Sequence, residues 1–161
     1  MKLIPLSGKL GAGKYAAVSD EDFEYLSKFT WHLHKSSTRE YVSRGTTTGR
    51  RPKVMMHREV ANRMGLDAAL EVDHRFGDTL DNCRHSLRPA TRSQNQANRG
   101  PSKNNKTGIK GVYWRKDRGT FTSEFMVGGR RVRLGSFATS EEAEIAYDKA
   151  SRLHHGEFAN H

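Results

Sequence analysis

The chain has 161 residues, which is room for one ordinary domain or two small ones, and 34% of them are hydrophobic. Its 28 Lys and Arg against 18 Asp and Glu give a formal net charge of +10, which favours a polyanionic partner such as nucleic acid. The single cysteine, Cys83, excludes an intrachain disulfide and a four-thiolate zinc site. No apolar run approaches the roughly 20 residues of a membrane-spanning helix, and the first residues lack the apolar core of a signal peptide, so we expect a cytoplasmic protein.

The first motif along the chain is GKLGAGKY at residues 8–15, which comes close to the phosphate-binding loop G-x-x-x-x-G-K-[ST]. Tyr15 stands where that loop has the Ser or Thr whose hydroxyl holds magnesium. A phosphate loop also follows a buried strand and opens a helix, whereas LIPLS contains a proline and KYAAV alternates as a strand does. The pattern therefore predicts a turn between two short strands and argues against an NTPase.

After this turn the sequence predicts a short helix and two strands. The helix is indicated by SDEDFEYLSKF, which begins with the capping pair Ser19 and Asp22. The strands are indicated by alternation in TWHLH and EYVSR, and TTTGRRP predicts a turn after the second of them.

The middle of the chain predicts a helix, a strand and a second helix. The first helix is indicated by the helical spacing of VMMHREVANRMG, which ends at Gly65. The strand is ALEVDH, and the turn-rich loop RFGDTLDN follows it. The second helix begins in TRSQNQAN, where Thr91 and Gln94 form a capping box.

Three polar residues of this region form a candidate catalytic group. Asp73 and His74 end the predicted strand, and Asn95 lies one turn into the capped helix. A strand, loop and helix of this size can place all three around one point, where the carboxylate and amide oxygens suit Mg²⁺ and the imidazole can take a proton from water. Metal-assisted phosphodiester hydrolysis and a merely structural Asp-His pair at a strand end both remain open on spacing alone.

The segment from Val54 to Asn98, VMMHREV…LEVDHRFGDTLDNCRHSLRPATRSQNQAN, resembles the HNH endonucleases of phage and homing-element type in order, spacing and residue type. The resemblance implies an α+β fold with a ββα-metal nuclease domain at the N-terminus. It implies that His74 is the general base and that Asp73 and Asn95 bind one divalent ion, Mg²⁺. His57 matches a recurrent position, which we interpret as structural or DNA-contacting.

One position departs from the HNH pattern. The family has Asn before the Leu-Arg pair, where its amide helps to orient the catalytic imidazole, and this chain has Ser86 there. Asn82 lies four residues earlier and could substitute, so Asn82 and Ser86 join His74 as candidate catalytic residues. The departure also leaves an alternative from another class, a DNA-binding transcriptional regulator whose nuclease centre is inactive.

The stretch NRGPSKNNKTG contains turn formers and no aliphatic or aromatic residue, which is typical of a linker. It predicts a division into a nuclease domain at 1–98, a basic polar linker at 99–107 and a C-terminal domain at 108–161. In that last domain KGVYWR, TFTSEFMV and RRVRLGSF predict three strands, with a Gly-Gly turn between the second and the third. A helix follows in TSEEAEIAYDKASRLHHG, with the capping box of Thr139 and Glu142 and an end at Gly156.

Alternation along these strands gives the predicted sheet two faces. The core face is predicted to carry Val112, Trp114, Phe121, Phe125, Val127, Val132 and Leu134. The helix is predicted to cover it with Ala143, Ala146, Tyr147, Ala150 and Leu153. The opposite face carries Tyr113, Arg115, Glu124, Arg131 and Arg133. This second face could enter a DNA major groove or be a salt-bridged surface, and composition leaves the two open.

The matching residues GIKGVYWRKDRGTFTSEF, RVRLGSFATSEEAEIAYDKAS and HGEFAN closely resemble the DNA-binding domain of plant ethylene-response factors, the Apetala-two (AP2) type. The resemblance covers residues 108–160 and implies a small three-stranded antiparallel sheet packed on one helix. Carried over position by position, it implies DNA contacts from Lys110, Gly111, Arg115, Glu124, Arg131 and Ser136. Tyr113 and Arg133, on the same predicted face, complete the candidate DNA-binding residues.

The two resemblances together predict a metal-dependent HNH endonuclease of homing type that hydrolyses phosphodiester bonds in double-stranded DNA. The C-terminal domain would target it, with one Mg²⁺ per active site and with neither a nucleotide cofactor nor a membrane partner. Nucleases of this type occur in phages and mobile elements, so we expect the protein in the cytoplasm of a bacterial host. We also expect a monomer.

Overall fold

The computed structural model describes residues 1–36, 39–46 and 53–159, which divide into two compact units, Met1–Ala90 and Thr91–His161. The turn predicted for TTTGRRP lies outside the described residues, except for its first threonine. Helices and several small antiparallel sheets make up both units, as the α+β prediction requires. Within the described part of the chain, no helix is long and apolar enough to cross a membrane.

The first unit contains seven strands, two α-helices and a 3₁₀ turn at Arg84–Ser86 in its described residues. In chain order the strands and α-helices are β1 (Lys2–Pro5), β2 (Tyr15–Val18), α1 (Asp20–Leu26), β3 (His32–Lys35), β4 (Glu40–Gly45), β5 (Lys53–Met55), α2 (Met56–Arg63), β6 (Glu71–His74) and β7 (Leu87–Ala90). The strands form three antiparallel sheets, β1-β2, β3-β4-β5 and β6-β7. The predicted helix at VMMHREVANRMG begins only at Met56, because Lys53–Met55 pair with β4 instead.

The core of this unit is built around one tryptophan. Trp31 is fully buried, and its indole nitrogen donates to the carbonyl of Leu26 at 2.8 Å, so its polar atom is satisfied inside the core. Leu26, Val42, Met56 and Val60 are also fully buried and belong to the same apolar cluster. The cluster draws on α1, α2 and the central strand of the β3-β4-β5 sheet, and so fixes the two helices against that sheet.

The motif that imitates a phosphate loop is a turn, as predicted. Residues 6–14 connect the antiparallel strands β1 and β2, and the chain continues as a strand rather than as a helix. Lys14, which would bind phosphate in an NTPase, donates from Nζ to Glu40 Oε2 at 2.8 Å. Its ammonium group therefore serves a structural ion pair.

Helix α1 begins at the predicted place for a different reason. The Ser19 side chain makes no capping hydrogen bond to the helix, and its Oγ accepts from the backbone nitrogen of Arg84 at 2.9 Å. Asp22 is fully buried and accepts from Arg63 Nε at 2.7 Å and from Arg84 Nε at 2.7 Å. The hydrogen bonds from Arg84 hold the pKa of Asp22 below its usual value against the opposing effect of burial.

The second unit contains α3 (Arg92–Ala97), β8 (Val112–Arg115), β9 (Thr120–Val127), β10 (Arg130–Phe137) and α4 (Ser140–His155). The three strands form an antiparallel sheet in the order β10-β9-β8, with α4 packed mainly on β9 and β10. Both predicted capping boxes are present, Thr91 with Gln94 and Thr139 with Glu142. Helix α4 ends at His155 and is capped by the predicted Gly156, which has a positive φ of 52°.

Two residues predicted for the core of this unit are exposed. Trp114 is 50% exposed because β8 is an edge strand that α4 covers only in part. Leu153 is 80% exposed because the buried stripe of α4 runs at a spacing of four, through Ala143, Tyr147 and Ser151. The predicted stripe was therefore right at its start and wrong at its end.

The backbone before β8 approaches α4 so closely that only glycine fits at position 111. Gly111 has φ +71°, and a Cβ there would overlap the Tyr147 ring and the carbonyl oxygen of Glu124. Gly119 has a comparable φ of +61°, but a Cβ on this residue would meet no heavy atom within 4 Å. The two glycines therefore separate the effect of a left-handed backbone from that of crowding.

We predict that Gly111→Ala destabilises the protein more than Gly119→Ala. Both variants force an L-residue into the left-handed region, at about 1–2 kcal/mol, and only the first adds overpacking, at about 1–3 kcal/mol. Urea unfolding followed by circular dichroism measures the difference. Equal losses of stability in the two variants would contradict the close packing of Gly111 on Tyr147.

Candidate functional site

The β6-β7 hairpin places two of the predicted catalytic residues. Asp73 and His74 are the last residues of β6, and they lie opposite Arg88 and Leu87 of β7. Asp73 is 2% exposed and His74 is 4% exposed, so both ionisable groups are held inside the protein. The predicted strand end is confirmed, and burial distinguishes this pair from an ordinary surface Asp-His pair.

Asp73 forms a buried ion pair that the sequence analysis missed. Arg88 Nε and Nη2 both lie 2.9 Å from Asp73 Oδ2, and Arg88 is only 4% exposed. The guanidinium provides the positive charge that a buried carboxylate needs, and it holds Oδ2 on the side of β7. The antiparallel register of the hairpin was the signal that could have revealed Arg88, because it sets this residue directly opposite Asp73.

The donor chemistry at Asp73 suits a hard divalent ion with few protein ligands. A carboxylate oxygen is a preferred ligand of Mg²⁺, which keeps several waters and takes the rest of its shell from substrate. Within residues 1–36, 39–46 and 53–159, no group of three or more His, Cys, Asp or Glu could hold a metal.

The ring of His74, at the end of β6, forms a cluster with two other rings. The His57 and His74 rings are 5.1 Å apart between centroids in an edge-to-face arrangement. Tyr41, in β4, lies 5.7 Å from the ring of His57 and 6.2 Å from that of His74. Tyr41 was not among the candidate residues, because nothing in its local pattern connects it with residues far along the chain. His57, in α2, is thus part of the wall around His74.

Both imidazoles of this cluster are kept neutral by their surroundings. Burial lowers the pKa of His74, and Asn82 and Asp73 oppose that effect because they favour the charged ring. Burial also lowers the pKa of His57 to about 3, with the neighbouring His74 adding to the shift. A neutral imidazole at His74 can accept a proton at physiological pH.

The structure separates the two residues that could replace the missing Asn of the HNH pattern. Ser86 is buried, and its Oγ donates to Asp81 Oδ2 at 2.6 Å. Asn82 is fully buried, and its Nδ2 donates to the carbonyl of Leu80 at 3.1 Å. Its Oδ1 makes no hydrogen bond of ordinary geometry in the described part of the chain. The Asn82 side chain nevertheless raises the pKa of His74, against the larger lowering by burial.

Asn95 lies in α3, in the second compact unit. Its backbone nitrogen donates to the carbonyl of Thr91 at 2.9 Å, one turn into the helix, as predicted. Asp73, His74 and Asn82 lie together in the first unit, with His57 beside them. The grouping of Asn95 with them stays a prediction.

The register of the C-terminal sheet confirms its predicted polar face. The paired residues place six candidate DNA-binding residues on the face that α4 leaves open: Tyr113, Arg115, Glu124, Arg131, Arg133 and Ser136. Arg131 is 73% exposed, and its Nε lies 3.5 Å from Glu124 Oε2, which is a long and weak pair. Arg133 Nη2 donates to Ser136 Oγ at 2.6 Å.

The other two candidate DNA-binding residues are engaged within their own unit. Lys110 donates from Nζ to the carbonyl of Ala97. Gly111 packs against the Tyr147 ring and leaves no room for a side chain. Lys110 thus forms a hydrogen bond and Gly111 is closely packed, and the contact of either residue with DNA stays a prediction.

Comparison with known proteins gives one family and one relative. Residues 107–153 match the AP2 domain. The chain is 26% identical over 152 residues, 92% of this chain and 75% of the relative, to a protein of Acanthamoeba polyphaga mimivirus named "Uncharacterized HNH endonuclease L560". No solved structure matches. The AP2 domain and the weak similarity to a protein named as an HNH endonuclease support both resemblances noted in the sequence.

We predict that Arg88→Ala destabilises the protein by about 3–5 kcal/mol, because it leaves the Asp73 carboxylate buried without its counter-charge. The matched control is Arg115→Ala, which removes an exposed pair with Asp117 at 3.2 Å and should leave stability unchanged. Urea unfolding in the presence of EDTA measures both. Equal stabilities of the two variants would show that Asp73 does not depend on Arg88.

Proposed function

We propose that this chain, which carries an AP2 domain and is similar to a protein named as an HNH endonuclease, is a metal-dependent DNA endonuclease of homing type. It would hydrolyse phosphodiester bonds in double-stranded DNA to which the AP2 domain holds it. The observation that carries the proposal is the buried, neutral His74 beside the Arg88-bound Asp73.

In this mechanism His74 is the general base. Its neutral imidazole takes a proton from the water that attacks the scissile phosphate, and the burial of the ring favours that form. Asp73 lies next to it and stabilises the imidazolium that results. Asp73 and Asn95 would hold the Mg²⁺. When bound, the ion supplies stabilisation of the negative charge on the leaving oxygen.

Asn82 is the proposed positioning residue for the His74 ring. Its Nδ2 is held by the carbonyl of Leu80, so the amide cannot rotate freely and its Oδ1 stays inside the site. Catalytic hydrogen bonds are often poorly aligned before substrate binds, and they tighten in the complex. Ser86 is turned to Asp81 instead, which supports Asn82 as the substitute for the family's Asn.

The proposed ββα-metal unit is formed by β6, β7 and α3, which follow one another in the chain in that order. The proposed domain division is a nuclease at 1–98, a linker at 99–107 and a DNA-binding domain at 108–161.

The three arginines on the open face of the sheet would contact phosphates and base edges in the major groove. Arg115 pairs with the exposed Asp117 of the following turn at 3.2 Å, and Arg131 keeps only a 3.5 Å pair with Glu124, so phosphates can replace these partners.

The second candidate function is a DNA-binding regulator with an inactive nuclease centre. Ser86 favours it, because this residue stands where the HNH pattern has its orienting Asn and bonds to Asp81. The two candidates share DNA binding and differ only in cleavage. A plasmid nicking assay with and without Mg²⁺ therefore decides between them.

We predict that the wild-type chain nicks plasmid DNA when Mg²⁺ is present and that His74→Ala abolishes nicking. DNA affinity should stay close to wild type, because the buried ring contributes proton transfer rather than contact with phosphates. Gel-based nicking and fluorescence anisotropy measure the two properties. Nicking by His74→Ala within about tenfold of wild type, roughly 1.4 kcal/mol in barrier height, would remove His74 from the mechanism.

We predict that Asn82→Ala lowers kcat by about 10–100-fold at unchanged DNA affinity, the usual effect of losing an orienting partner. Ser86→Ala should leave kcat nearly unchanged in the folded fraction, because Ser86 bonds to Asp81. Adding Ser86→Asn to Asn82→Ala restores the family's amide and should recover part of the lost kcat. If Ser86→Ala loses more kcat than Asn82→Ala, the assignment of the positioning residue is wrong.

A further inference from the structure

A cavity of about 610 Å³ opens at the free edge of β8, on the second unit. It lies between the loop that precedes this strand and the first residue of α4, and its size is that of a small-ligand site. The side chains that matter here are Lys106, Tyr113, Trp114, Lys116 and Phe121. The exposure of the Tyr113 and Trp114 rings leaves them outside the core that the sheet forms with α4.

The wall of this cavity is aromatic and open to solvent. Trp114 is 50% exposed and Tyr113 is 46% exposed, although both are large rings in a strand. Successive residues of β8 point to opposite faces, so the two rings flank the free edge of the sheet. The Trp114 ring contacts Phe121 at 4.8 Å between centroids, which holds the indole in place. A planar ring that enters the cavity can therefore stack on a fixed surface.

The charge at the cavity is positive. Lys106 and Lys116 line it, and none of its lining residues among those the structure describes carries a carboxylate. Neither lysine forms an ion pair in the described part of the chain. The nearby Asp117 is held by Arg115 at 3.2 Å and by Arg118 at 3.6 Å. The ligand that fits such a cavity combines a planar ring with negative charge.

The loop on the other side of the cavity is fixed before any ligand binds. Asn105 Nδ2 donates to the carbonyl of Ile109 at 2.6 Å, and its Oδ1 accepts from the backbone nitrogen of Thr107 at 3.0 Å. Thr107 Oγ1 donates to the carbonyl of Val112, at the start of β8, at 2.8 Å. The wall is thus tied to the strand that carries the aromatic rings, and binding needs little ordering of the chain.

We propose that this cavity binds one unpaired nucleotide of a DNA strand, with its base stacked on Trp114 and its phosphates beside Lys106 and Lys116. A base inside an intact duplex is already stacked on both sides, so only an unpaired base can offer its ring to the indole. The stacking surface is distinct from the arginine face proposed for duplex DNA, since Trp114 lies on the other face of the sheet. Of the two rings of β8 that line the cavity, Tyr113 belongs to the arginine face. The nucleotide site goes beyond the proposed function, because phosphodiester hydrolysis does not require it.

The test uses the full chain in EDTA and two single-stranded probes of about eight nucleotides, one of thymidines and one abasic with the same phosphates. Trp31 is fully buried and Trp114 is half exposed, so quenching of tryptophan emission reports on Trp114. We expect the thymidine probe to quench the emission and to bind about 5- to 150-fold more tightly than the abasic probe. Equal affinity for the two probes would overturn the proposal.

The variant Trp114→Ala should bind both probes equally in anisotropy measurements, at the affinity of the wild type for the abasic probe. The matched control is Tyr15→Ala, which removes an exposed ring of the first unit and should keep the preference for thymidine. If circular dichroism shows that Trp114→Ala is unfolded, Trp114→Phe replaces it and should keep a reduced preference. A full preference in the folded Trp114→Ala protein would overturn the proposal. Cleavage plays no part in this titration, so a failure here leaves the nicking test of the nuclease unaffected.

Discussion

Asp22 ties the first unit together through a buried carboxylate that two arginines share. Arg63 comes from α2, and Arg84 comes from the loop between β6 and β7. A buried carboxylate is costly unless its oxygens are satisfied, and here three guanidinium hydrogen bonds satisfy them. The same interaction therefore fixes the end of the loop that carries Asn82 and Ser86.

Backbone bonds hold the rest of that loop in the same way. The backbone nitrogen of Ala17 in β2 donates to the carbonyl of Leu80 at 3.0 Å. The backbone nitrogen of Asn82 donates to the carbonyl of Ala17 at 2.8 Å. Thr79 donates to the carbonyl of Glu40 in β4. The loop between β6 and β7, which contains a 3₁₀ turn at Arg84–Ser86, is thus anchored to a helix and two sheets. These anchors hold Asn82, the proposed positioning residue for His74, in a fixed place.

The parts of the structure that depend on neighbouring residues could be predicted from the sequence. Both capping boxes are complete within four residues, so Thr91 and Thr139 identified the starts of α3 and α4. Ser19 stood in the same kind of pattern, but its hydroxyl is taken by Arg84, 65 residues away. The exposure of Trp114 likewise depends on how far α4 extends over β8, which no local pattern records. For the candidate site, the resemblance to the HNH pattern suggested both Asn82 and Ser86, and the bond from Ser86 to Asp81 depends on packing that this pattern does not record.

The two units differ in the exposure of their charged groups, and this difference indicates which of them would hold DNA. In the first unit the groups at the candidate site are buried, and they are either neutral, as His57 and His74 are, or paired, as Asp73 is with Arg88. Such groups gain little from a distant phosphate, because their charge is already cancelled or absent. In the second unit Arg131 is 73% exposed and keeps only a long pair with Glu124, so it can exchange that partner for a phosphate at small cost. Under the proposed function, affinity for DNA would therefore arise mainly in the AP2 domain, and proton transfer would take place in the other unit.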